Sequence, residues 1–287
     1  MTLSIVILHH SSPKDVTANL KALYEAELPK GTEILIVNNG RKGANGGITF
    51  PSGKDAMHPC FEIENKGYPQ GNNYGLSRAE GDYLCILNPD IIVEKDTFKV
   101  LINYLKNHPK VGVVAPRLRY PDGVVQDNYR KFPRPFDLLV KRTFLRHFFT
   151  NRMRGYLMWG KDPHQSEAVD WLTGAFQIFT RKAWDAIGPN DERYFLFMSD
   201  VDICRKAWEK GFQVHFVGET EALHNDARLS AGGIMALFKK KTMRIHVWDA
   251  FKYYWHYLLK PLPRNCPSRL RFKGVLATIL PHHRSFV

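Results

Sequence analysis

Two short acidic blocks and a later histidine are the residues of this chain best suited to chemistry. Asn88-Pro89-Asp90 follows an apolar run, Ser199-Asp200-Val201-Asp202 precedes a helical pattern, and His224 lies further along the chain. Carboxylate and imidazole groups bind divalent metal ions, and a carboxylate can also remove a proton from an attacking hydroxyl group. The pattern therefore predicts a site that combines a metal ion with a general base.

The elements around these blocks predict where the site lies. The run Tyr83 to Leu87 has the length and apolar character of a buried parallel strand, so Asp90 should emerge at the carboxyl edge of a sheet, where open α/β folds bind ligands. Apolar runs alternate with helical patterns, which predicts a mostly parallel sheet flanked by helices. Strands are expected near 3–8, 33–37, 83–87 and 212–217, and helices near 14–26, 71–79, 95–106 and 200–210.

Composition limits the class of protein and of partner. The chain has 287 residues, of which 44% are apolar and 24% charged, as in a globular protein with one large domain or one domain plus an appendage. Its 41 Lys and Arg exceed its 28 Asp and Glu by 13, which favours an anionic partner: a phosphorylated substrate, an acidic membrane surface or nucleic acid. Four cysteines without C-x-x-C pairing favour reduced thiols and a cytoplasmic location, peripheral on the inner face of the cell membrane if the carboxyl-terminal region binds lipid.

Further blocks give the chain a family resemblance. They are Ser4 to His10, Ile36 to Gly40, Asn65 to Gly75 and a later block from Trp171 to His224. In this order and spacing they resemble the family 2 glycosyltransferases of GT-A fold, closest to the rhamnosyltransferase-like branch, over roughly residues 3–225. The resemblance implies a GT-A domain over 1–228, with an irregular acceptor-side insertion at 116–168, followed by a basic amphipathic region at 229–287.

The resemblance also implies an activity. It is the inverting transfer of a sugar, such as L-rhamnose, from a dTDP- or UDP-linked donor to a saccharide or lipid-linked saccharide acceptor in bacterial cell-surface polysaccharide or lipopolysaccharide synthesis. No nucleic acid is expected as a partner, because no recognisable nucleic-acid motif accompanies the basic residues. Two other functions stay open: a degenerate GT-A binding protein, favoured by Ser199 and Asn38, and a nucleotidylyltransferase, although the expected glycine-rich phosphate loop is absent after Leu8.

Individual roles follow from the matched positions. Asp90 and His224 are expected to hold Mg²⁺ or Mn²⁺, and Asp200 is expected to be the general base. Ser199 stands where the family usually has Glu, and Asn38 where it usually has Asp. The donor-binding residues are expected to be His9, His10, Asn38, Asn65, Gly67, Asn73, Arg78, Asn88 and Asp90, and the sugar or acceptor pocket is expected to contain Trp171, Gly174 and Asp202.

Several of these residues have a purely structural alternative. Asn88-Pro89-Asp90 and Asn38-Asn39-Gly40 are also turn sequences, and Ser199 with Asp202 matches a helix capping pattern. Asp202 could instead pair with Arg205 on the same helical face. Arg78 could be a solvated surface residue, Trp171 a core residue and His224 a hydrogen-bonded loop histidine.

The carboxyl-terminal region has two interpretations. Apolar residues recur at helical spacing among several Lys and Arg, which fits an amphipathic helix on an anionic membrane surface. A helix packed on the core with a solvated basic face fits equally well. The apolar positions are Ile234, Phe238, Ile245, Trp248, Phe251, Trp255 and Leu258.

Overall fold

A nine-stranded mixed sheet forms the centre of the computed structural model, which describes residues 2–40, 47–50, 58–141, 143–225 and 241–269. The strands in chain order are β1 (Leu3–His9), β2 (Glu33–Asn38), β3 (Cys60–Glu62), β4 (Tyr83–Leu87), β5 (Ile91–Val93), β6 (Val111–Arg119), β7 (Tyr129–Arg130), β8 (Glu167–Ala168), β9 (Trp171–Leu172), β10 (Phe176–Thr180) and β11 (Gln213–His224). The sheet order is β3-β2-β1-β4-β10-β6-β11-β5, with β8 also on β11, while β7 and β9 form a separate pair.

Strand direction explains why distant segments meet at one edge. Six strands, β1, β2, β3, β4, β6 and β11, run one way, and β5, β8 and β10 run the other way. The carboxyl ends of β1, β2, β4 and β11 therefore lie at the same edge as the amino ends of β5 and β10. The registers show this directly: His9 is opposite Asn38, Phe176 is opposite Leu87, and His224 is opposite Ile91.

Helices cover both faces of the sheet. They are α1 (Pro13–Glu25), α2 (Tyr68–Leu76), α3 (Thr97–Asn107), α4 (Pro135–Lys141), α5 (Thr150–Leu157), α6 (Arg181–Ile187), α7 (Ser199–Glu209) and α8 (Lys241–Tyr257), with a 3₁₀ turn at Phe144–His147. Side chains of β1 alternate between two cores, because successive residues of a strand point to opposite faces. Ile5 and Ile7 pack with α1 and α3, whereas Val6 and Leu8 share a cluster with residues of α2, α6, α7 and α8.

The expected α/β fold with a mostly parallel sheet is confirmed, and the differences are local. Helix α2 begins at Tyr68 rather than near residue 71, because Gly67 ends the preceding loop with φ of 114°. The segment 116–168 is more regular than predicted: it continues β6 and contains two short helices and two short strands. Pro135 is the first residue of α4, a position where its fixed φ favours helix initiation rather than irregular structure.

The carboxyl-terminal helix α8 packs on the core. Its buried residues recur every three or four positions, at Met243, His246, Asp249, Ala250, Tyr253 and Tyr257. Of the apolar positions that the sequence singled out, Trp248, Phe251, Trp255 and Leu258 face outward, Ile245 is partly buried, and Ile234 and Phe238 lie outside the described residues. The expected basic outer face is thus largely apolar. No helix among the described residues is long and apolar enough to cross a membrane.

Candidate active site

Asp200 lies in the first turn of α7 and faces the sheet edge. Its Oδ1 accepts the Val201 N–H at 2.9 Å, and its Oδ2 accepts the Gly174 N–H at 3.3 Å. Burial raises the pKa of the Asp200 carboxyl above its ordinary value, while these N–H groups and the positive charge of Arg130 act in the opposite direction. A partly buried carboxylate with a raised pKa is a better proton acceptor than an exposed one. The arrangement suits a general base.

Tyr68 joins the two blocks that the sequence singled out. Its hydroxyl lies 2.7 Å from the Gly174 carbonyl oxygen and 3.0 Å from Asn88 Oδ1, so it can donate to either acceptor. Burial, followed by the charge of Asp200, raises the pKa of Tyr68 well above its ordinary value, so the group stays a neutral donor. Tyr68 thus connects Asn88, which follows β4, to the Gly174 turn under Asp200. The sequence alone indicates no role for Tyr68, although this residue directly follows Gly67.

Asp90 and His224 face each other at the neighbouring strand ends. Asp90 Oδ2 lies 3.5 Å from His224 Nε2. Gln126 Nε2 donates to the His224 carbonyl at 3.2 Å, which turns its Oε1 toward His224 Nδ1 at 2.8 Å. With the Gln126 amide in this orientation, His224 Nδ1 can donate to Gln126 Oε1, and Nε2 faces Asp90. Gln126 was not predicted, since nothing in the sequence links it to a histidine 98 residues later.

This pair fits a divalent cation. Asp90 Oδ1 is buried and accepts no hydrogen bond, which is costly unless a cation or donor meets it. One carboxylate and one imidazole are ligands that suit Mn²⁺, and Mg²⁺ commonly takes few protein ligands beside phosphate oxygens and water. Among the described residues, no group of three or more His, Cys, Asp or Glu side chains could hold a metal. A ligand that brings phosphate oxygens would have to complete the coordination.

The ends of β1 and β2 form the other side of the edge. Asn38 Oδ1 accepts the Gly40 N–H at 2.9 Å, so the turn that the tripeptide suggested is present. A Cβ on Gly40 would lie 1.4 Å from the His10 carbonyl oxygen, so only glycine fits there. His10 Nδ1 lies 3.4 Å from Asn65 Nδ2. His10 and Asn65 are thus neighbours, and the turn that Asn38 closes packs against the His10 backbone.

His9 and Gly67 have structural contacts near the same sheet edge. His9 is fully buried, and its Nδ1 accepts the Ser12 N–H at 3.3 Å. A Cβ on Gly67 would lie 2.5 Å from the Phe195 carbonyl oxygen. Gly67 therefore allows the start of α2 to approach the loop that leads into α7, and its N–H is held by Asn65 Oδ1 at 3.0 Å. Their direct contact with a donor stays a prediction.

Two predicted donor residues are directed elsewhere. The Asn73 amide donates to the Asn190 carbonyl at 2.8 Å and accepts the Asn190 N–H at 2.9 Å, so it holds the loop at Asn190, and its contact with a donor stays a prediction. Arg78 follows the far end of α2, about 15 Å along the helix from Tyr68 at roughly 1.5 Å per residue. Its guanidinium donates to the Tyr74 carbonyl at 2.9 Å and stacks on the Tyr74 ring. The expected phosphate contact of Arg78 stays a prediction, which these contacts with its own helix do not favour.

Two predicted pocket residues are core residues. Asp202 is fully buried, where it accepts the Tyr257 hydroxyl at 2.7 Å and pairs with Lys206 at 2.8 Å. Neither the capping pattern nor the Arg205 pair forms: the residue before α7 is Met198, with no side-chain cap, and Arg205 pairs with Glu209. Trp171 is buried with its indole N–H on the Lys131 carbonyl, as in plain core packing.

Arg130 lies close to Trp171 and Asp200, although its place in the sequence indicates no role for it. It ends β7, inside the 116–168 segment, with its guanidinium 5.0 Å from the Trp171 ring and its charge felt by Asp200. Its Nε is buried and makes no hydrogen bond. Arg130 is one of many Arg residues in the 116–168 segment, so the sequence does not distinguish it from the others. Its position depends on the pairing of β7 with β9, in which Arg130 is opposite Trp171, 41 residues later.

Comparison with known proteins agrees with this geometry. Residues 4–166 match the family model described as Glycosyl transferase family 2. An N-acetylglucosaminyl-diphospho-decaprenol L-rhamnosyltransferase of Mycobacterium tuberculosis is 27% identical over 150 residues, which cover 51% of this chain and 48% of the relative. Rhamnosyltransferase WbbL of Escherichia coli (strain K12) is 25% identical over 198 residues, 65% of this chain and 69% of the relative. The chain thus spans about half the length of the mycobacterial relative.

The fold matches solved structures as well. The mannosyltransferase PcManGT from Pyrobaculum calidifontis, solved with GDP-Man and Mn²⁺, has a TM-score of 0.52 at 15% identity, over 96% of this chain and 80% of that chain. At this identity the likeness concerns the fold alone. It confirms the GT-A architecture that the sequence predicted.

Proposed function

The chain belongs to glycosyl transferase family 2, and on that premise we propose that it transfers L-rhamnose from a dTDP-linked donor to a saccharide acceptor in cell-surface polysaccharide or lipopolysaccharide synthesis. The observation that carries the proposal is the position of the Asp200 carboxylate, which Tyr68 and Gly174 join to the Asn88 block beside Asp90 and His224. Rhamnose is supported by the names of the mycobacterial and Escherichia coli relatives.

The donor side of the proposal rests on the Asp90–His224 pair. These two residues would hold Mg²⁺ or Mn²⁺, which when bound neutralises charge that develops on the departing nucleoside diphosphate. The base and ribose would lie over the β1 and β2 ends, near His10, Asn38 and Asn65. The side-chain Oδ1 of Asn38 has two lone pairs, so it can accept the imide N–H of a pyrimidine while it holds the Gly40 N–H. UDP-linked donors meet the same requirement.

The acceptor side rests on Asp200. As the acceptor hydroxyl oxygen attacks the anomeric carbon, its proton passes to the Asp200 carboxylate, and the bond between that carbon and the diphosphate oxygen breaks on the opposite side. Attack opposite the leaving group inverts the anomeric configuration. Arg130 provides a positive charge beside this carboxylate, which favours its ionised form before the transfer.

Calorimetric titration with dTDP and with UDP, each with and without Mg²⁺ or Mn²⁺, tests the donor assignment. The parent should bind dTDP more tightly when metal is present, and Asp90→Ala should remove that difference. Asp185→Asn, at an exposed position on α6, is the matched control and should behave as the parent. Equal metal dependence in Asp90→Ala and the parent would remove Asp90 from the metal site.

A transfer assay tests the base. Asp200→Asn should retain dTDP affinity and slow dTDP release from dTDP-rhamnose, with a lipid-linked saccharide as acceptor, by about 10²–10⁴-fold. A rate equal to that of Asp185→Asn would show that another group takes the proton.

A further inference from the structure

The outer face of α8 and the two residues that follow its last residue carry a row of exposed apolar side chains. Exposed fractions run from 50% at Val247 to 93% at Leu259. Neighbouring rings stack along the row, with centroids 5.4 Å apart for Trp248 and Phe251 and 6.0 Å apart for Phe251 and Trp255. The row consists of Val247, Trp248, Phe251, Trp255, Leu258 and Leu259, and is called here the aromatic row.

Helix α8 cannot rotate to bury the aromatic row, because side chains on its opposite face hydrogen-bond and pack within the core. Asp249 Oδ2 accepts the N–H groups of Leu196 and Phe197, both at 3.0 Å. Tyr257 donates to Asp202 at 2.7 Å, and Tyr254 donates to the Pro133 carbonyl at 3.2 Å. A contiguous apolar surface of several large side chains, held outward in this way, is typical of an interaction site.

The charges of residues 241–269, around the aromatic row, favour an anionic partner. Between residues 241 and 269 the chain has six Lys and Arg, and its one acidic residue, Asp249, is fully buried under the helix. Lys241 and Arg244 are exposed in the first turn of α8, and Lys260 and Arg264 are exposed just beyond its end. The surface is therefore apolar at its centre and cationic at both ends.

We propose that the aromatic row docks the protein onto the surface of an anionic lipid bilayer. Trp and Phe partition into the interface between headgroups and acyl chains, while Lys and Arg at the ends of the row meet anionic headgroups. The net charge of +13 adds long-range attraction to such a surface. A neutral protein partner would gain nothing from these cations.

Docking would also orient the active site. Asp249 holds the backbone of residues 195–197, which leads through Met198 into α7 and Asp200, so the aromatic row and Asp200 lie on one packed unit. The bilayer would therefore set the direction in which the site opens. This second consequence rests on the proposed transfer to a lipid-linked saccharide, whereas the lipid contact itself does not.

Flotation with lipid vesicles tests the docking surface. The purified full chain should float with vesicles of mixed phosphatidylglycerol and phosphatidylcholine and bind phosphatidylcholine vesicles more weakly. Phe251→Ser combined with Trp255→Ser should lower the apparent affinity for the mixed vesicles at least tenfold, because each ring buries apolar surface in the interface. Trp159→Ser, which changes an exposed Trp outside α8, is the matched control and should bind as the parent does.

A second pair of variants separates charge at the row from net charge. Arg244→Gln with Lys260→Gln should weaken binding to the mixed vesicles, whereas Lys21→Gln with Lys30→Gln removes two exposed charges near α1 and should have less effect. Unchanged thermal midpoints would show that all variants are folded.

Three results would overturn the proposal. One is a parent protein that does not float with the mixed vesicles, and another is a Phe251→Ser/Trp255→Ser variant that floats as the parent does. The third is a dimer in sedimentation velocity that the same two substitutions dissociate, which would make a second copy of the chain the partner. No donor is needed in these measurements, so loss of nucleotide binding would refute the proposed function and leave the docking surface intact.

Discussion

The carboxylate of Asp249 provides a sharp test of how the carboxyl-terminal helix supports the active site. It accepts the N–H groups of Phe195 at 3.1 Å and of Leu196 and Phe197 at 3.0 Å, and it lies 3.3 Å from Lys252 Nζ. Hydrogen bonds to a charged group contribute about 1.5–3 kcal/mol each, roughly twice as much as neutral ones. Asp249→Asn keeps the shape and one acceptor oxygen but loses the charge.

The expected loss follows from these bonds. Three bonds that each weaken by about 1 kcal/mol lose about 3 kcal/mol, and relief of the buried charge returns about 1 kcal/mol, which leaves a net loss of about 2 kcal/mol. A change of this size lowers the thermal midpoint of a chain this long by about 4–8 °C. Since the 195–197 segment leads into Asp200, kcat should also fall about tenfold while the dTDP dissociation constant stays unchanged.

Differential scanning calorimetry and turnover measurements check both effects, with the exposed Asp185→Asn as the control of equal charge change. If Asp249→Asn unfolds at the control's midpoint, the carboxylate does not hold the segment. If the midpoint falls and kcat does not, Asp249 supports the fold without positioning Asp200.

Three further outcomes follow from the site. Tyr68→Phe should cost about 1 kcal/mol of stability, measured by urea unfolding, and lower kcat, because Asn88 and Gly174 lose a shared donor; equal unfolding curves would contradict this. Burial raises the pKa of Asp200 and the base must be ionised, so the rate should fall with decreasing pH at a pH above the ordinary aspartate value of about 3.9; an acid limb at or below that value would exclude Asp200. Arg78→Ala should leave the donor KM within about twofold, because its guanidinium contacts its own helix, and a tenfold rise would place it at the donor after all.

Much of the fold could be predicted because local patterns determine it. The apolar runs of β1, β2 and β4 are long, rich in branched residues and flanked by turn residues, so strands and their carboxyl ends could be located within a residue or two. Asp90 and His224 were paired in advance through the family resemblance, and the structure places them 3.5 Å apart. Their role as metal ligands stays a prediction.

The contacts that the sequence did not reveal join distant segments. Asn73 was predicted to bind the donor, and the structure gives it a partner, Asn190, that lies 117 residues away. Asp202 matched a local capping pattern, yet its partner Tyr257 comes from a helix 55 residues later. The sequence shows which polar group a residue carries, but not which partner that group meets in the fold. A polar residue that hydrogen-bonds within the core therefore looks the same in the sequence as one that binds substrate.

The position of β10 in the sheet has a consequence for synthesis of the chain on the ribosome. β10 lies between β4 and β6 although it follows both in sequence, and among the described strands β5 pairs with β11 alone. The first four strands can pair as soon as they emerge, whereas β5 and β6 must wait for partners that are translated more than 60 residues later. The half of the edge with His10 and Asn38 can therefore form early, and the Asp90–His224 pair is completed last, so a nascent chain stalled before β11 would carry the first half of the edge without this pair.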